Sequence, residues 1–194
     1  MTSSSLMANS IDTTHGLYVP VGAAGSGKST LSRAWPADAV LSLDAFREMV
    51  AGDAGDQSAT PDAVAVLELI LEARLARQLG CYVDATNAKA ADRAKLVAAA
   101  RRHNVPLIAI RMETSLAECQ RRNARRPANR RVPKEIVGSQ YGLAASFDHA
   151  AEGFDRIISS HVIAALSACR LDSASPGATA AEGLTIDNGD RCRL

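Results

Sequence analysis

The sequence predicts an α/β fold in which a parallel β-sheet lies between two layers of helices. Short apolar segments alternate with longer segments of helical periodicity along most of the chain, and the first apolar segment leads into a glycine-rich loop and a helix. Parallel strands need crossover connections, usually helical, and such sheets are covered on both faces. With 194 residues, 47% of them hydrophobic, the chain suits one domain with a sizeable core.

The predicted elements follow one another in regular order. Strands are expected at 17–21, 40–43, 81–83, 105–110 and 156–158. Helices are expected at 28–35, 44–50, 60–79, 90–103, 115–126 and 133–147. In the longest helix, Thr60 is the predicted N-cap and Pro61 the first helical residue. Gly80 is predicted to end that helix, whose apolar face comprises Val64, Leu67, Leu71 and Leu75.

The chain is expected to form one domain over residues 15–170. Residues 1–14 are rich in Ser and Thr, and residues 171–194 lack periodicity, so both are predicted to be flexible tails. The start lacks the apolar core of a signal peptide, and no segment is long enough to span a membrane. The four cysteines show no metal-site spacing and are typical of a reducing compartment. A cytoplasmic protein is therefore expected.

The glycine-rich loop fits the phosphate-binding pattern G-x-x-x-x-G-K-[ST]. Glycines allow successive backbone N–H groups to point at a phosphate, and the following helix adds its positive dipole end. Lys28 can bridge the β- and γ-phosphates, and the Ser29 hydroxyl can bind Mg²⁺. A chance match is disfavoured by the preceding strand and following helix. The predicted nucleotide-binding residues are Gly22, Ala23, Ala24, Gly25, Ser26, Gly27, Lys28, Ser29 and Thr30.

Two acidic residues follow predicted strands at the edge where ligands bind in such folds. Asp44 follows the second strand and is a candidate general base for an attacking hydroxyl, although Asp is equally suited to cap the next helix. Arg47 lies one turn further and is either a clamp for an acceptor phosphate or an exposed helix arginine. Asp84 ends the third strand, in the position of an acid that supports Mg²⁺ or its waters.

A run of seven cations without an acidic residue among them follows later in the chain. They are Arg121, Arg122, Arg125, Arg126, Arg130, Arg131 and Lys134. Charge runs are usually solvated faces, but uncompensated cations repel one another and polyphosphate would relieve this repulsion. Arg122 and Arg126 share a helix face and are candidate arginine fingers. Pro127 and the irregular segment after it favour a mobile lid over about residues 115–147.

Together these motifs resemble the polynucleotide 5′-hydroxyl kinase family, and most closely the kinase module of bacterial RNA end-healing and repair enzymes. The matching segments run in order from about residue 17 to 160. They are GAAGSGKST at 22–30, SLDAFR at 42–47, DQSAT at 56–60, VDATN at 83–87, RNARR at 122–126 with VP at 132–133, and EGFD at 152–155. The phosphate loop occurs in many families, whereas this combination is much more specific.

The resemblance implies a P-loop NTPase fold of three α/β/α layers with an arginine-rich helical lid, an ATP or GTP donor, and Mg²⁺. It implies that Asp44 is the general base on a 5′-OH, that Arg47 and Gln57 contact the acceptor strand, and that Arg122 and Arg126 act on the donor phosphates. Arg126 is the better match to the catalytic lid arginine. Lys28 and Ser29 would serve the phosphates and Mg²⁺, which Asp84 and Asp44 would support through water.

Alternatives remain open at this point. The repair enzymes carry phosphatase and ligase-like modules on the same chain, which this sequence lacks after its kinase-like region. The protein therefore acts alone, partners such modules in trans, or uses the same scaffold on a small-molecule alcohol. A third hypothesis is a nucleotide-dependent binding protein without transfer activity. Aromatic residues make up only 4% of the sequence, which argues against extensive base stacking but not against a few Arg–phosphate contacts.

Overall fold

The computed structural model describes residues 12–173, and these form a five-stranded parallel sheet with helices on both faces. The strands are β1 (Leu17–Val21), β2 (Val40–Ser42), β3 (Cys81–Asp84), β4 (Leu107–Arg111) and β5 (Arg156–Ser159), in the order β2-β3-β1-β4-β5. The helices are α1 (Lys28–Leu31), α2 (Leu43–Ala51), α3 (Thr60–Leu75), α4 (Ala90–Arg102), α5 (Leu116–Ala124), α6 (Lys134–Ala145) and α7 (Ser160–Ser173). The predicted P-loop NTPase fold is confirmed.

The two faces of the sheet carry separate hydrophobic cores, because alternate strand residues point to opposite sides. Leu17, Val19 and Val21 of β1 pack on one side with residues of α2, α3 and α4. Tyr18 of β1 packs on the other side with Trp35 and with residues of β3, β4 and α7. β1 is buried along its whole length, so the loop that follows it starts from a fully buried strand.

A third, smaller cluster fixes the lid region above the carboxyl edge of the sheet. Cys119 of α5 and Val137 of α6 pack against Ala23 and Ala24 of the glycine-rich loop. Ser115 caps α5, since its side chain accepts a hydrogen bond from the Glu118 backbone N–H. The lid helices are therefore packed directly on the loop that they are expected to cover.

Several predicted boundaries were wrong. Ser42, not Asp44, caps α2, because its side chain accepts from the Ala45 N–H. Thr60 already has helical dihedrals, since a 3-10 turn at Gln57–Ala59 leads into α3. That helix ends at Leu75 rather than near Gly80, because Gln78 adopts a left-handed conformation.

One helix near the end of the expected domain was missed. Helix α7 was not predicted, although it continues directly from β5. The expected tails at 1–14 and 171–194 lie largely outside the described residues, but Thr14 accepts a hydrogen bond from the Gly80 N–H. None of the helices within residues 12–173 combines the length and apolar character that a membrane crossing requires.

Candidate active site

The glycine-rich loop, residues 22–29, connects β1 to α1 at the carboxyl edge of the sheet. Gly25 and Gly27 adopt φ angles of +82° and +98°, which side chains disfavour. A Cβ at Gly25 would also lie 2.3 Å from the Cys119 carbonyl oxygen of α5. Glycine at this position thus allows both the loop conformation and the close approach of the lid helix.

Lys28 lies inside the curve of this loop and is 7% exposed. Its Nζ donates to the carbonyl oxygens of Gly22 and Ala23, at 2.8 and 2.7 Å, and to Ser26 Oγ at 3.2 Å. Burial lowers the pKa of the Lys28 ammonium to about 8, and the nearby Asp84 carboxylate opposes this shift. The loop therefore holds the Lys28 amino group against its own backbone, at the place where a phosphate would bind.

A cavity of about 980 Å³ opens beside the loop. Its walls include Arg122 and Arg126 from the lid, Met112 and Thr114 after β4, and Ser160 and His161 at the start of α7. This volume lies within the range of nucleotide-sized ligand sites.

Ser29 and Asp84 form the part of the site that suits a divalent cation. The Ser29 residue is exposed, and Asp84 is half-buried at the end of β3. Burial raises the pKa of the Asp84 carboxyl, while the Ser29 side chain and the Lys28 charge lower it. Residues 12–173 contain no cluster of three or more His, Cys, Asp or Glu side chains that would hold a metal. One carboxylate and one hydroxyl fit Mg²⁺, which typically takes its remaining ligands from phosphates and water.

Asp44 lies in the first turn of α2, with 37% of its side chain exposed. Its charge influences the pKa of both Lys28 and Asp84, which places it at the same site. The predicted shared face with Arg47 is present, because Arg47 Nη2 donates to Asp44 Oδ1. Arg47 is buried and its Nε donates to the Ala54 carbonyl at 2.9 Å, so it is not an exposed helix arginine.

Gln57 lies on the loop that follows α2. It is exposed, and its Nε2 donates to the Gly55 carbonyl at 3.3 Å. The Asp56 side chain accepts hydrogen bonds from Ser58 and begins the short 3-10 turn that carries Gln57. Gln57, which is predicted to contact the acceptor, therefore lies on the loop whose Ala54 carbonyl binds Arg47. Its own side chain bonds to Gly55 rather than to Asp44 or Arg47.

The two predicted lid arginines differ in their surroundings. Arg126 is half-buried, and its charge influences the pKa of Lys28 and Asp84. Arg122 is exposed and pairs with Glu118 of its own helix at 2.5 Å. Both line the cavity. A Cβ added at Gly27 would lie 3.4 Å from Arg122 Nη1, whereas Arg126 is the one whose charge acts on Lys28 and Asp84.

The cationic run is not as uncompensated as the sequence suggested. Arg121 and Arg122 both pair with Glu118, which precedes the run, and Arg130 pairs with Asp44 from α2. These two carboxylates are contributed from outside the run, so spacing within it gave no sign of them. Within residues 12–173, the remaining four cations form no ion pair with a carboxylate.

Three residues of the site were not assigned a role from the sequence. Arg130 contacts Asp44 across 86 positions of the chain, and no local pattern reveals such a contact. Gln140 of α6 accepts a hydrogen bond from the Ala24 N–H at 2.9 Å. Asn123 pairs with both the N–H and the carbonyl of Val132, and here the signal was its place in the RNARR segment.

Comparisons with solved structures are consistent with this fold. A protein from Chloroflexus aurantiacus, proposed to be a kinase, has 17% identity and a TM-score of 0.54, over 85% of this chain and 100% of that chain. A chain in the Pnkp1/Rnl/Hen1 complex has 24% identity and a TM-score of 0.48, over 59% of this chain. The match spans only 40% of that chain's length. Shikimate kinase from Acinetobacter baumannii, bound to shikimate, has 14% identity and a TM-score of 0.48, over 84% and 96% of the two chains.

Sequence comparison gives a family. No curated protein sequence matches the chain. Residues 17–145 match the family model AAA_33, described as an AAA domain. This match covers most of the residues that form the sheet, the phosphate loop and the lid, and it confirms the predicted P-loop resemblance at the level of family and fold. The chain therefore belongs to the AAA domain family AAA_33.

Proposed function

We propose that the protein is a Mg²⁺-dependent kinase that transfers the γ-phosphate of ATP or GTP to the 5′-OH end of RNA or DNA. The observation that carries this proposal is the position of Asp44. Its partly exposed carboxylate lies within electrostatic reach of Lys28 and Asp84. A partly exposed carboxylate beside the phosphate-binding residues is placed as a general base for an attacking hydroxyl would be.

In the proposed reaction, Asp44 accepts the proton of the acceptor hydroxyl as its oxygen attacks the γ-phosphorus. The bond from the γ-phosphorus to the bridging oxygen breaks in line with this attack, and the nucleoside diphosphate leaves with the bridging oxygen. Lys28 and Arg126 stabilise negative charge on the transferring phosphoryl group. Arg47 holds Asp44 through Oδ1 and so orients the carboxylate.

Mg²⁺ would be held by the Ser29 hydroxyl and supported by Asp84, with Asp44 acting only through water. The ion would neutralise charge on the donor phosphates. Arg122 would contact the donor from the cavity wall. The catalytic unit is proposed to be one domain over residues 15–170, with a lid over about residues 115–147.

The acceptor class is proposed from charge and sequence. Arg47 and Arg130 both flank Asp44, and two guanidinium groups beside one carboxylate favour an acceptor that carries a phosphate close to its hydroxyl. The motif combination adds the resemblance to polynucleotide kinases. Gln57 is proposed to contact the same acceptor, and separate phosphatase or ligase proteins would complete an RNA repair reaction in the cytoplasm.

The test is the transfer of radiolabelled γ-phosphate from ATP or GTP to a short 5′-OH oligonucleotide with Mg²⁺. The wild type should label the oligonucleotide. Asp44→Asn should lower the transfer rate by roughly 10²- to 10⁴-fold, the range of a general base, while nucleotide binding is retained. Asp38→Asn is the matched control, because Asp38 is an exposed carboxylate paired with Arg74, and its rate should equal that of the wild type.

Each failure of this test has a distinct meaning. Nucleotide binding without a labelled oligonucleotide contradicts the proposed acceptor, and a screen of phosphorylated and unphosphorylated small alcohols then identifies another one. Equal rates for wild type and Asp44→Asn contradict the role of Asp44 as the base. A third outcome is nucleotide hydrolysis that is not accelerated by any acceptor and is unchanged in Asp44→Asn. This outcome favours a nucleotide-dependent binding protein.

A further inference from the structure

The lid touches the acceptor side of the site at its tip, residues 127–131. Asn129 Nδ2 donates to Asp53 Oδ1 at 2.9 Å, and Arg130 Nη2 donates to Asp44 Oδ2 at 2.5 Å. A Cβ at Gly55 would lie 2.4 Å from the Asn129 carbonyl oxygen. The lid tip is therefore packed on the loop after α2 as well as bonded to it.

Asp44 is the point at which this contact meets the proposed chemistry. Arg47 binds one carboxylate oxygen and Arg130 binds the other. A carboxylate whose two oxygens both hold guanidinium groups has less capacity to accept a hydroxyl proton. Each oxygen keeps a second lone pair, but release of one arginine raises the proton affinity of the carboxylate when an acceptor hydroxyl reaches Asp44.

The two arginines are not equally free to move. The Arg47 side chain is 9% exposed and is fixed by the Ala54 carbonyl. The Arg130 side chain is 43% exposed, and within residues 12–173 its only ion pair is the one with Asp44. It lies on a short 3-10 turn at Ala128–Arg130 between two lid helices, so a small movement of the lid tip releases it.

We propose that Arg130 is a specificity-determining residue that moves from Asp44 to a phosphate of the acceptor. This inference rests on the proposed function. A guanidinium group binds phosphate with the same forked geometry that it uses for a carboxylate. The exchange frees Asp44 Oδ2 for the acceptor hydroxyl only when a phosphate accompanies that hydroxyl. Acceptors without a phosphate leave Arg130 on Asp44 and react poorly.

The first measurement compares two acceptors that both carry a 5′-OH, a nucleoside 3′-monophosphate and the unphosphorylated nucleoside. The wild type should prefer the 3′-monophosphate in kcat/KM. Arg130→Ala should reduce this preference by roughly 10- to 100-fold, the equivalent of a charge-assisted hydrogen bond. Arg130→Lys keeps the charge without the fork and should give an intermediate value. Arg125→Ala, which removes an exposed arginine of the same cationic run, should keep the wild-type preference.

The second measurement is hydrogen exchange of the lid tip in the full-length protein without acceptor. Exchange of residues 127–133 should be faster in Arg130→Ala and in Asp44→Asn than in the wild type, and unchanged in Arg125→Ala. This combination, together with the lost preference, supports the inference. Unchanged exchange in Arg130→Ala overturns it, because the contact then does not hold the lid.

The kinetic outcomes separate this inference from the proposed function. Suppose that the wild type labels 5′-OH oligonucleotides but Arg130→Ala keeps the full preference for the phosphorylated acceptor. The role of Arg130 is then overturned, and the proposed function stands. A wild type that labels no 5′-OH acceptor contradicts the proposed function, and the inference with it.

Discussion

At the scale of single residues, two glycines of this chain differ in whether a side chain could be accommodated in their place. Gly25 has a φ of +82°, and an added Cβ would meet the Cys119 carbonyl oxygen at 2.3 Å. Gly142 lies within α6, where an added Cβ would meet no atom within 4 Å. The first glycine is required by its backbone and by its neighbour, whereas the second only lowers the helix propensity of α6.

We therefore expect Gly25→Ala and Gly142→Ala to change stability in opposite directions. Gly25→Ala should lower the free energy of unfolding by at least about 1–2 kcal/mol, the cost of a left-handed conformation. It should also weaken nucleotide binding, because the loop or α5 must shift. Gly142→Ala should raise the free energy of unfolding by about 0.5–1 kcal/mol. Urea unfolding measures both changes, and equal effects would contradict this account of Gly25.

Residues with local signals were predicted well. The phosphate loop has a fixed spacing, and Asp44 and Asp84 were predicted at the right edge because both follow strands. Capping of α2 was left open as an alternative role for Asp44, and Ser42 holds that place instead. Ser and Asp are equally good caps, so the pattern did not distinguish the two positions. The contact of Arg130 with Asp44 has no local signal at all.

At the scale of secondary-structure elements, a buried ion pair joins α4 to the segment before β5. Arg93 binds both Glu152 oxygens, at 2.6 and 2.5 Å, and also donates to the carbonyls of Asn87 and Ala88 after β3. Its guanidinium lies 4.6 Å from the centre of the Phe147 ring. This single side chain thus links three segments below the site, including the turn that follows Asp84.

Glu152→Ala should lower the free energy of unfolding by about 3 kcal/mol, because it leaves the Arg93 charge buried without its carboxylate. Glu68→Ala is the control, since Glu68 pairs with Lys95 on the surface and should cost less than about 1 kcal/mol. Chemical denaturation of both variants measures the difference. A loss for Glu152→Ala no larger than that of the control would contradict the structural role of this pair.

The lid depends on Asn123, the buried last-turn residue of α5. Its side chain accepts from the Val132 N–H at 3.1 Å and donates to the Val132 carbonyl at 2.6 Å. Asn123→Ala should speed hydrogen exchange of residues 125–133 and lower the rate of transfer, because the two Val132 groups lose their partners. Asn123→Asp keeps only the acceptor and should give an intermediate exchange rate. Exchange at the wild-type rate in Asn123→Ala would show that other contacts hold the lid.

Long segments with clear periodicity were predicted correctly. Short elements, and elements that follow one another without a loop, were missed. The five predicted strands and the six predicted helices are present, with α1 and α3 shorter than expected. Helix α7 was missed because its Ser- and Ala-rich sequence has little amphipathic character, and because it starts directly at the end of β5. The 3-10 turn before α3 was missed because Thr60-Pro61 has the pattern of an ordinary helix start.

At the scale of the whole molecule, surface carboxylates make the fold sensitive to acid. The Arg121 and Arg122 guanidinium groups hold the pKa of Glu118 at about 2. His103 and Arg102 lower the pKa of Glu72, and Arg101 with the Leu107 N–H lowers that of Asp155. A carboxylate with a lower pKa in the folded state contributes stability above its unfolded pKa, and this contribution is lost as the pH falls towards the folded value.

Urea midpoints should therefore be constant near neutral pH and should fall as the pH decreases below about 4.5, the ordinary value for Glu. Glu118→Gln should show a smaller decrease between pH 4.5 and 2 than the wild type, because one of the carboxyl groups with a lowered pKa no longer titrates. The comparison is a series of urea titrations at both pH limits. A decrease as steep in Glu118→Gln as in the wild type would contradict the pairing of Glu118.

The order of strands in the sheet has a consequence for biosynthesis. β1 is the central strand, and both of its neighbours, β3 and β4, come more than 50 residues later in the chain. A ribosome therefore produces the apolar β1 segment, with its phosphate loop, well before any strand exists that pairs with it. Such non-local pairing slows folding and leaves an apolar strand edge open meanwhile. Newly made chains should thus need chaperone protection until β3 and β4 have emerged, and nascent chains stalled before residue 84 should be bound by chaperones more strongly than those stalled beyond β4.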